Sequence, residues 1–292
     1  MDKSQGYWEG YWEKQTSSGG RFGDDEFYQS KAREHASLMV DEHKSTGCID
    51  LGCGAGELLK YLSEEVKVDL GLDYSDSMLD MARKRLAGKN INLVKADLFD
   101  FLPDQKQKVW ITCEAINQYL DIERQREFLN LFAKHHSAEA LYLFDCVDPI
   151  RYSLLNSGIG IGYIDKDNPS VRGSNAIKTL LKPPRRTRSI IPMLKTRWKS
   201  IKTLLRPPQR RRLRFITGIS LAIGVKSGVC QKIGGPAMGY GFLPKFWIDE
   251  CNKRDLRLQI VSSRFYEYRY HVIINKKQNQ LGSNLHISIN NV

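Results

Sequence analysis

Residues 48–62, CIDLGCGAGELLKYL, decide how the chain is read. Cys48 to Leu51 is a short apolar run suited to a buried strand, and from Glu57 the apolar residues recur at helical spacing. Between them stand Gly52, Gly54 and Gly56. Three glycines between a strand and a helix let the backbone turn sharply and bring the unpaired N–H groups of the helix start close to a ligand. The spacing is G-x-G-x-G. A pyrophosphate turn of the dinucleotide-binding kind needs G-x-G-x-x-G, whose last glycine would fall on Glu57, so that fingerprint fails. A tight strand-to-helix turn without a ligand is the plain alternative.

Working outward, strands and helices alternate. CIDL is followed by a helix from Glu57 to Glu65, the strand VDLGLD, a helix from Ser77 to Ala87, the strand INLVKAD and the strand KVWITCE. A helix over about 122–136 and the strand ALYLFDCV come next. Short apolar strands separated by amphipathic helices call for parallel strand-helix-strand units with right-handed crossovers, hence a doubly wound α/β sheet with helices on both faces. Near the end, a helix at about 244–253 precedes LRLQIV and YRYHVIIN, whose short polar connection suits a hairpin at one sheet edge.

Before this core, residues 1–47 read as a helical preface, with Tyr-Trp-Glu repeated in YWEGYWEKQ and an amphipathic helix in KAREHASLMVDEH. Such a segment either lids a pocket or packs its aromatics on the sheet. Residues 48–149 and 241–277 are expected to form the core, 150–240 an insertion, and 278–292 a tail.

Three strands end in polar signals. The second ends in GLDYSDSML, where Asp73 is placed to accept two neighbouring hydroxyls with one carboxylate. The third ends in VKADLFDF, where Asp97 is placed to accept from an amino group, with Leu98 beside it. Together with the glycine turn, these signals fall at the carboxyl ends of three strands, the edge at which open α/β sheets bind ligands. The bland readings are that Asp50 and Asp97 only cap local backbone.

Here the sequence resembles the class I S-adenosylmethionine-dependent methyltransferases, in the sub-pattern that includes small-molecule and glycan-modifying enzymes, over roughly residues 7–147 and 242–275. The resemblance implies a mostly parallel seven-stranded sheet in the order 3-2-1-4-5-7-6. It also implies S-adenosyl-L-methionine as cofactor. Carried over, its methionine end falls to Asp50, Gly52, Cys53, Gly54 and Gly56, its ribose to Asp73 with Tyr74 and Met78 alongside, and its adenine to Asp97 and Leu98. The fourth signature matches VWITCEAINQYL, with Cys113 and Glu114 at the tip near the sulfonium.

Methyl transfer from a sulfonium is an in-line displacement that leaves a neutral group, so a protein contributes mainly alignment and exclusion of water. A hydroxyl acceptor gains from a base at the same edge. Asp145, Glu114 and Tyr119 are the expected catalytic residues, with Asp148 also at a strand end. The histidines are weaker candidates. The expected acceptor is a hydroxyl of a small molecule or of a sugar in a glycan or lipid-linked intermediate. An RNA methyltransferase and an inactive cofactor-binding scaffold are the alternatives.

The 292-residue chain has a formal net charge of +12. Between Asp167 and Asp249 it carries 18 Lys and Arg and no acid, which leaves −6 for the remainder, so the basicity belongs to the insertion. Within it IKTLLKPP at 177–184 returns as IKTLLRPP at 201–208. The Pro-Pro pairs end any helix begun before them, which makes the insertion largely helical and broken. FITGISLAIGV, at 215–225, is too short to span a bilayer. Contact of 172–225 with an anionic membrane surface or a phosphate-bearing carrier is favoured over RNA binding. A solvated insertion balancing the acidic remainder, within one chain or in a homodimer, is the plain alternative. The opening residues do not resemble a signal peptide, so a cytoplasmic protein is expected, peripheral at the inner membrane face if the insertion binds lipid. Six cysteines without a Cys-x-x-Cys pair read as reduced, and with His135 and His136 merely adjacent, no metal site is expected.

Overall fold

The computed structural model describes residues 25–113, 116–156, 230–232, 239–276 and 288–290. The Tyr-Trp-Glu repeat, Glu114, the IKTLL duplication and FITGISLAIGV lie outside the described residues. Helices α1 (Asp25–Leu38) and α2 (Asp41–Thr46) precede β1 (Cys48–Leu51). Then follow α3 (Glu57–Glu65), β2 (Val68–Asp73), α4 (Asp76–Arg85), β3 (Asn92–Lys95), α5 (Leu98–Phe101), β4 (Val109–Thr112), α6 (Ile122–Lys134), β5 (Ala140–Val147) and α7 (Pro149–Asn156). After the insertion come β6 (Cys230–Lys232), β7 (Tyr240–Phe242), α8 (Pro244–Asn252), β8 (Leu256–Ser262), β9 (Arg269–Lys276) and β10 (Ser288–Asn290).

The main sheet runs β3-β2-β1-β4-β5-β9-β8-β10. β1 to β5 are parallel, and β9 is antiparallel to both of its neighbours. Counting β8 and β9 as the sixth and seventh strands gives the expected order 3-2-1-4-5-7-6. The segment expected to be a tail adds one more strand, β10, parallel to β8 at the edge. β6 and β7 form a separate two-stranded ribbon.

Each face of the sheet buries one hydrophobic layer. Trp110, Phe128, Phe132, Phe246 and Trp247 fill the layer under α6 and α8. Ala32, Met39, Leu58, Leu62 and Phe144 fill the layer under α1 and α3. All eight residues of β5 are buried because both its edges are paired and both its faces are covered, which is why ALYLFDCV reads as continuous apolar sequence. Within the described part of the N-terminal preface, α1 packs into the core. Its apolar face, with Tyr28, Ala32 and Ala36 buried, repeats at helical spacing.

Two local choices position the functional edge. Ser75 caps α4, its hydroxyl facing the Met78 amide, and Asp121 caps α6 by accepting from the Arg124 amide at 2.9 Å. In β5 the register against β9 slips between Leu143 and Cys146, and Asp145 takes a φ of 58°. A non-glycine residue in the left-handed region is uncommon, and this bulge turns the Asp145 carboxylate toward α1.

Candidate active site at the carboxyl edge of the sheet

The glycine turn follows β1. Gly52, Gly54 and Gly56 have φ of 73°, 54° and 72°, a backbone that a side chain would strain. The amides of Gly52 and Cys53 both donate to the Leu72 carbonyl, at 2.7 and 2.8 Å, so the turn is fastened to the tip of β2. A Cβ on Gly52 would stand 2.6 Å from Cδ1 of Ile116, in the 3-10 turn Ile116–Tyr119 that follows β4. The glycine turn and the turn after β4 thus abut.

Asp73 ends β2. Its Oδ2 accepts from the Gly54 amide at 2.8 Å and its Oδ1 from the Ser75 amide at 2.9 Å, which sets the carboxylate over the glycine turn. The next tip is tied in by the Ala96 amide, which donates to the Asp73 carbonyl at 3.2 Å. Asp97 caps α5, accepting from the Phe99 amide at 2.8 Å, and Leu98 is buried beside it. The structure therefore gathers Gly52, Gly54, Gly56, Asp73, Asp97 and Leu98 along one edge. Tyr74 is half-buried next to Asp73, and Met78 is buried on α4. Cys53 and Cys113 bury their thiols in the layer under α1 and α3.

Asp50 links β1 to β4. Its Oδ1 accepts from the Cys113 amide at 2.9 Å, while Oδ2 has no hydrogen-bond partner although the residue is fully buried. Burial pushes its carboxyl up to about 6, opposed by the Cys113 hydrogen bond. A folded value above the ordinary 3.8 means that the ionised form costs stability at neutral and higher pH. That cost fades as pH falls through the folded value and vanishes below the unfolded one. Asp50→Asn keeps an acceptor for the Cys113 amide, so it is expected to stabilise the chain at pH ~8 by about 1–3 kcal/mol and to lose that gain near pH ~4. Urea titrations at the two pH values check this, and an equal gain at both would refute the assignment.

Beyond β4 and β5 the expected catalytic residues separate. Glu114 lies outside the described residues. Tyr119 is half-buried at the end of the 3-10 turn. Asp145 is fully buried, and its Oδ2 lies 2.5 Å from Nζ of Lys31 on α1. Burial alone would raise its carboxyl, but Lys31 and then Arg269 outweigh this and hold it below the usual carboxylate range. Asp145 is thus a fixed anion and a weak base. Asp148 caps α7 by accepting from the Ile150 and Arg151 amides at 2.8 and 3.0 Å, and burial pushes its carboxyl up.

Sequence reasoning missed Ile116, Lys31 and Gly239. A Cβ on Gly239 would stand 1.9 Å from the Gln118 carbonyl oxygen, so the chain returning from the insertion meets the turn after β4 backbone to backbone. No spacing signal links Gly239 to Gln118. Lys31 lies on a helix that the sequence does reveal, but nothing local marks it as buried. His135, set aside as a weak candidate, accepts from the Ser137 and Ala138 amides at the end of α6 and closes that helix.

Residues 48–137 match the family model described as a methyltransferase domain. A trans-aconitate 2-methyltransferase from Rhizobium rhizogenes is 46% identical over 74 residues, which span 25% of this chain and 28% of that relative. The chain thus matches little more than a quarter of the relative's length. Among solved structures, DesVI of Streptomyces venezuelae aligns with a TM-score of 0.47 at 15% identity, covering 87% of this chain and 93% of that one. An O-methyltransferase family protein from Burkholderia thailandensis aligns with a TM-score of 0.49 at 12% identity, covering 88% of this chain and 58% of that one.

Proposed function

We propose that the chain, whose residues 48–137 match a methyltransferase domain, is a class I enzyme that moves a methyl group from S-adenosylmethionine to a hydroxyl of a small molecule or a sugar. The observation that carries this reading is the convergence of the glycine turn, Asp73 and Asp97 on one sheet edge, locked by the Gly54 amide on Asp73. The residues present fit the cofactor. Gly52 lets the glycine turn pack directly on Ile116, and Asp50 holds a buried, unpartnered carboxylate oxygen beside the turn, suited to a cationic ammonium. Asp73 offers a vicinal diol the acceptor that its charge and position provide.

S-adenosylmethionine supplies an electrophilic methyl group whose carrier sulfur becomes neutral on transfer. The protein's share is alignment. Asp73 and the glycine turn would set the height of the cofactor along the edge, and Ile116 would close its side against water. Asp145 would fix the local field through its pairing with Lys31 and would not collect a proton. Removal of the acceptor's proton is therefore assigned to Tyr119 in the turn after β4, with Glu114 the other proposed base. A small-molecule acceptor accords with the relative, a trans-aconitate 2-methyltransferase. The stretch 172–225 enters this reading as the proposed contact with an anionic carrier.

Calorimetric titration with S-adenosylmethionine is expected to show binding that Asp73→Ala weakens by at least about 100-fold, since a charge-assisted pair of hydrogen bonds contributes about 1.5–3 kcal/mol for each bond. Label from tritiated-methyl cofactor is expected to appear in small-metabolite or lipid-linked sugar fractions. Binding unaffected by Asp73→Ala would end the site assignment. Label confined to RNA would end the acceptor assignment and leave the cofactor site standing.

A further inference from the structure

The face of α1 that meets the sheet buries three polar residues, Lys31, Glu34 and His35. Lys31 and Asp145 cancel each other's charge at 2.5 Å. Glu34 has different surroundings. One carboxylate oxygen accepts from the Arg264 amide at 2.5 Å and lies 3.3 Å from Nε2 of His271 on β9, while the other, Oε2, has no hydrogen-bond partner. His35 is fully buried and stacks flat on Phe144, with ring centroids 4.0 Å apart, and neither of its ring nitrogens has a hydrogen-bond partner. The ligand-capable atoms of Glu34, His35 and His271 all lie within 4.8 Å of one another.

A buried carboxylate without a compensating cation is expensive, and so is an imidazole whose nitrogens bond to nothing. One divalent cation would satisfy both. We propose that Glu34, His35 and His271 form a binding site for a divalent transition metal of the zinc type, which staples α1 onto β9. Two imidazoles and one carboxylate are a donor set that suits a borderline-soft ion, and the sealed position favours a structural role over a catalytic one. Coordination requires one proton to move within the His271 ring. The Asp145 amide donates to Nδ1 at 3.3 Å, so the neutral ring carries its proton on Nε2. Metal binding through Nε2 shifts that proton to Nδ1 and releases this long contact. Lys31 does not compete for the ligands, because Asp145 already holds it. Nothing in this inference depends on methyl transfer.

The test uses the full chain equilibrated with zinc or with cobalt and passed through a desalting column. Wild type is expected to retain about one equivalent of zinc, and its cobalt form to show the visible ligand-field absorption of a low-symmetry nitrogen and oxygen site. His35→Ala and Glu34→Gln are expected to retain at least about tenfold less metal with unchanged far-UV circular dichroism. Background metal in wild type overturns the proposal. So does equal retention in folded variants, which would place the ion elsewhere, for example at His135 and His136. Should the variants not fold, the wild-type cobalt spectrum decides alone: its presence supports the site and its absence removes it.

Discussion

Replacing Lys31 by Met is expected to destabilise the fold by about 3 kcal/mol at neutral pH, because it strands the buried Asp145 carboxylate without the ammonium 2.5 Å away. The value sits at the low end for a broken buried pair because Arg269 remains close enough to act on Asp145. In wild type the Asp145 carboxyl is held below its ordinary value. Its contribution is therefore complete above the unfolded value near 3.8 and is lost only as pH falls through the lower folded one. In Lys31→Met, burial acts without its main opponent and raises the carboxyl. The penalty is then present at neutral pH and shrinks as acid protonates Asp145. Urea unfolding from pH ~8 down to pH ~4 should show the gap between variant and wild type closing toward acid. Adding Asp145→Asn to Lys31→Met should recover part of the loss, since the stranded charge is gone. A loss under about 1 kcal/mol, or no recovery in the double variant, would contradict the pairing.

Gly239→Ala is the second large effect. Its Cβ would stand 1.9 Å from the Gln118 carbonyl oxygen, which is backbone, and its φ of 61° already disfavours any side chain. Neither cost can be relieved by rotating a side chain. About 2–4 kcal/mol of destabilisation is expected, or displacement of β7 from the turn after β4. That turn also touches the glycine turn through Ile116, so either outcome should reduce labelled-methyl transfer more than tenfold. Thermal unfolding and the methyl assay read the two effects separately, and near-wild-type values in both would show that the approach of the two backbones is not required.

The strongest metal candidate shows where local sequence stops. His35 and His271 stand far apart in sequence, and metal-ligand spacing is a signal that works only when the ligands share a loop or a helix turn. No expectation could therefore have joined them. They meet because β9 runs antiparallel beside β5 and α1 crosses that part of the sheet. The same holds for Asp145. Its place at the end of a strand suggested a base, whereas the bulge at φ 58° turned it toward Lys31. The identity of the neighbour, not of the residue, decides its chemistry.

Local sequence by itself determined the repeating units. Apolar period, glycine position and capping residues act over a few residues, so β5 and α3 fell at the expected bounds, and the three polar strand tips could be named as one edge. Once parallel connections are right-handed, the winding of the first five strands follows from that rhythm. Tertiary structure alone decided which polar groups lost their water and which partners compensated them. Burial and Coulomb pairing depend on residues brought together across the chain, and no window of sequence contains both members of Lys31 and Asp145, or of Gly239 and Gln118.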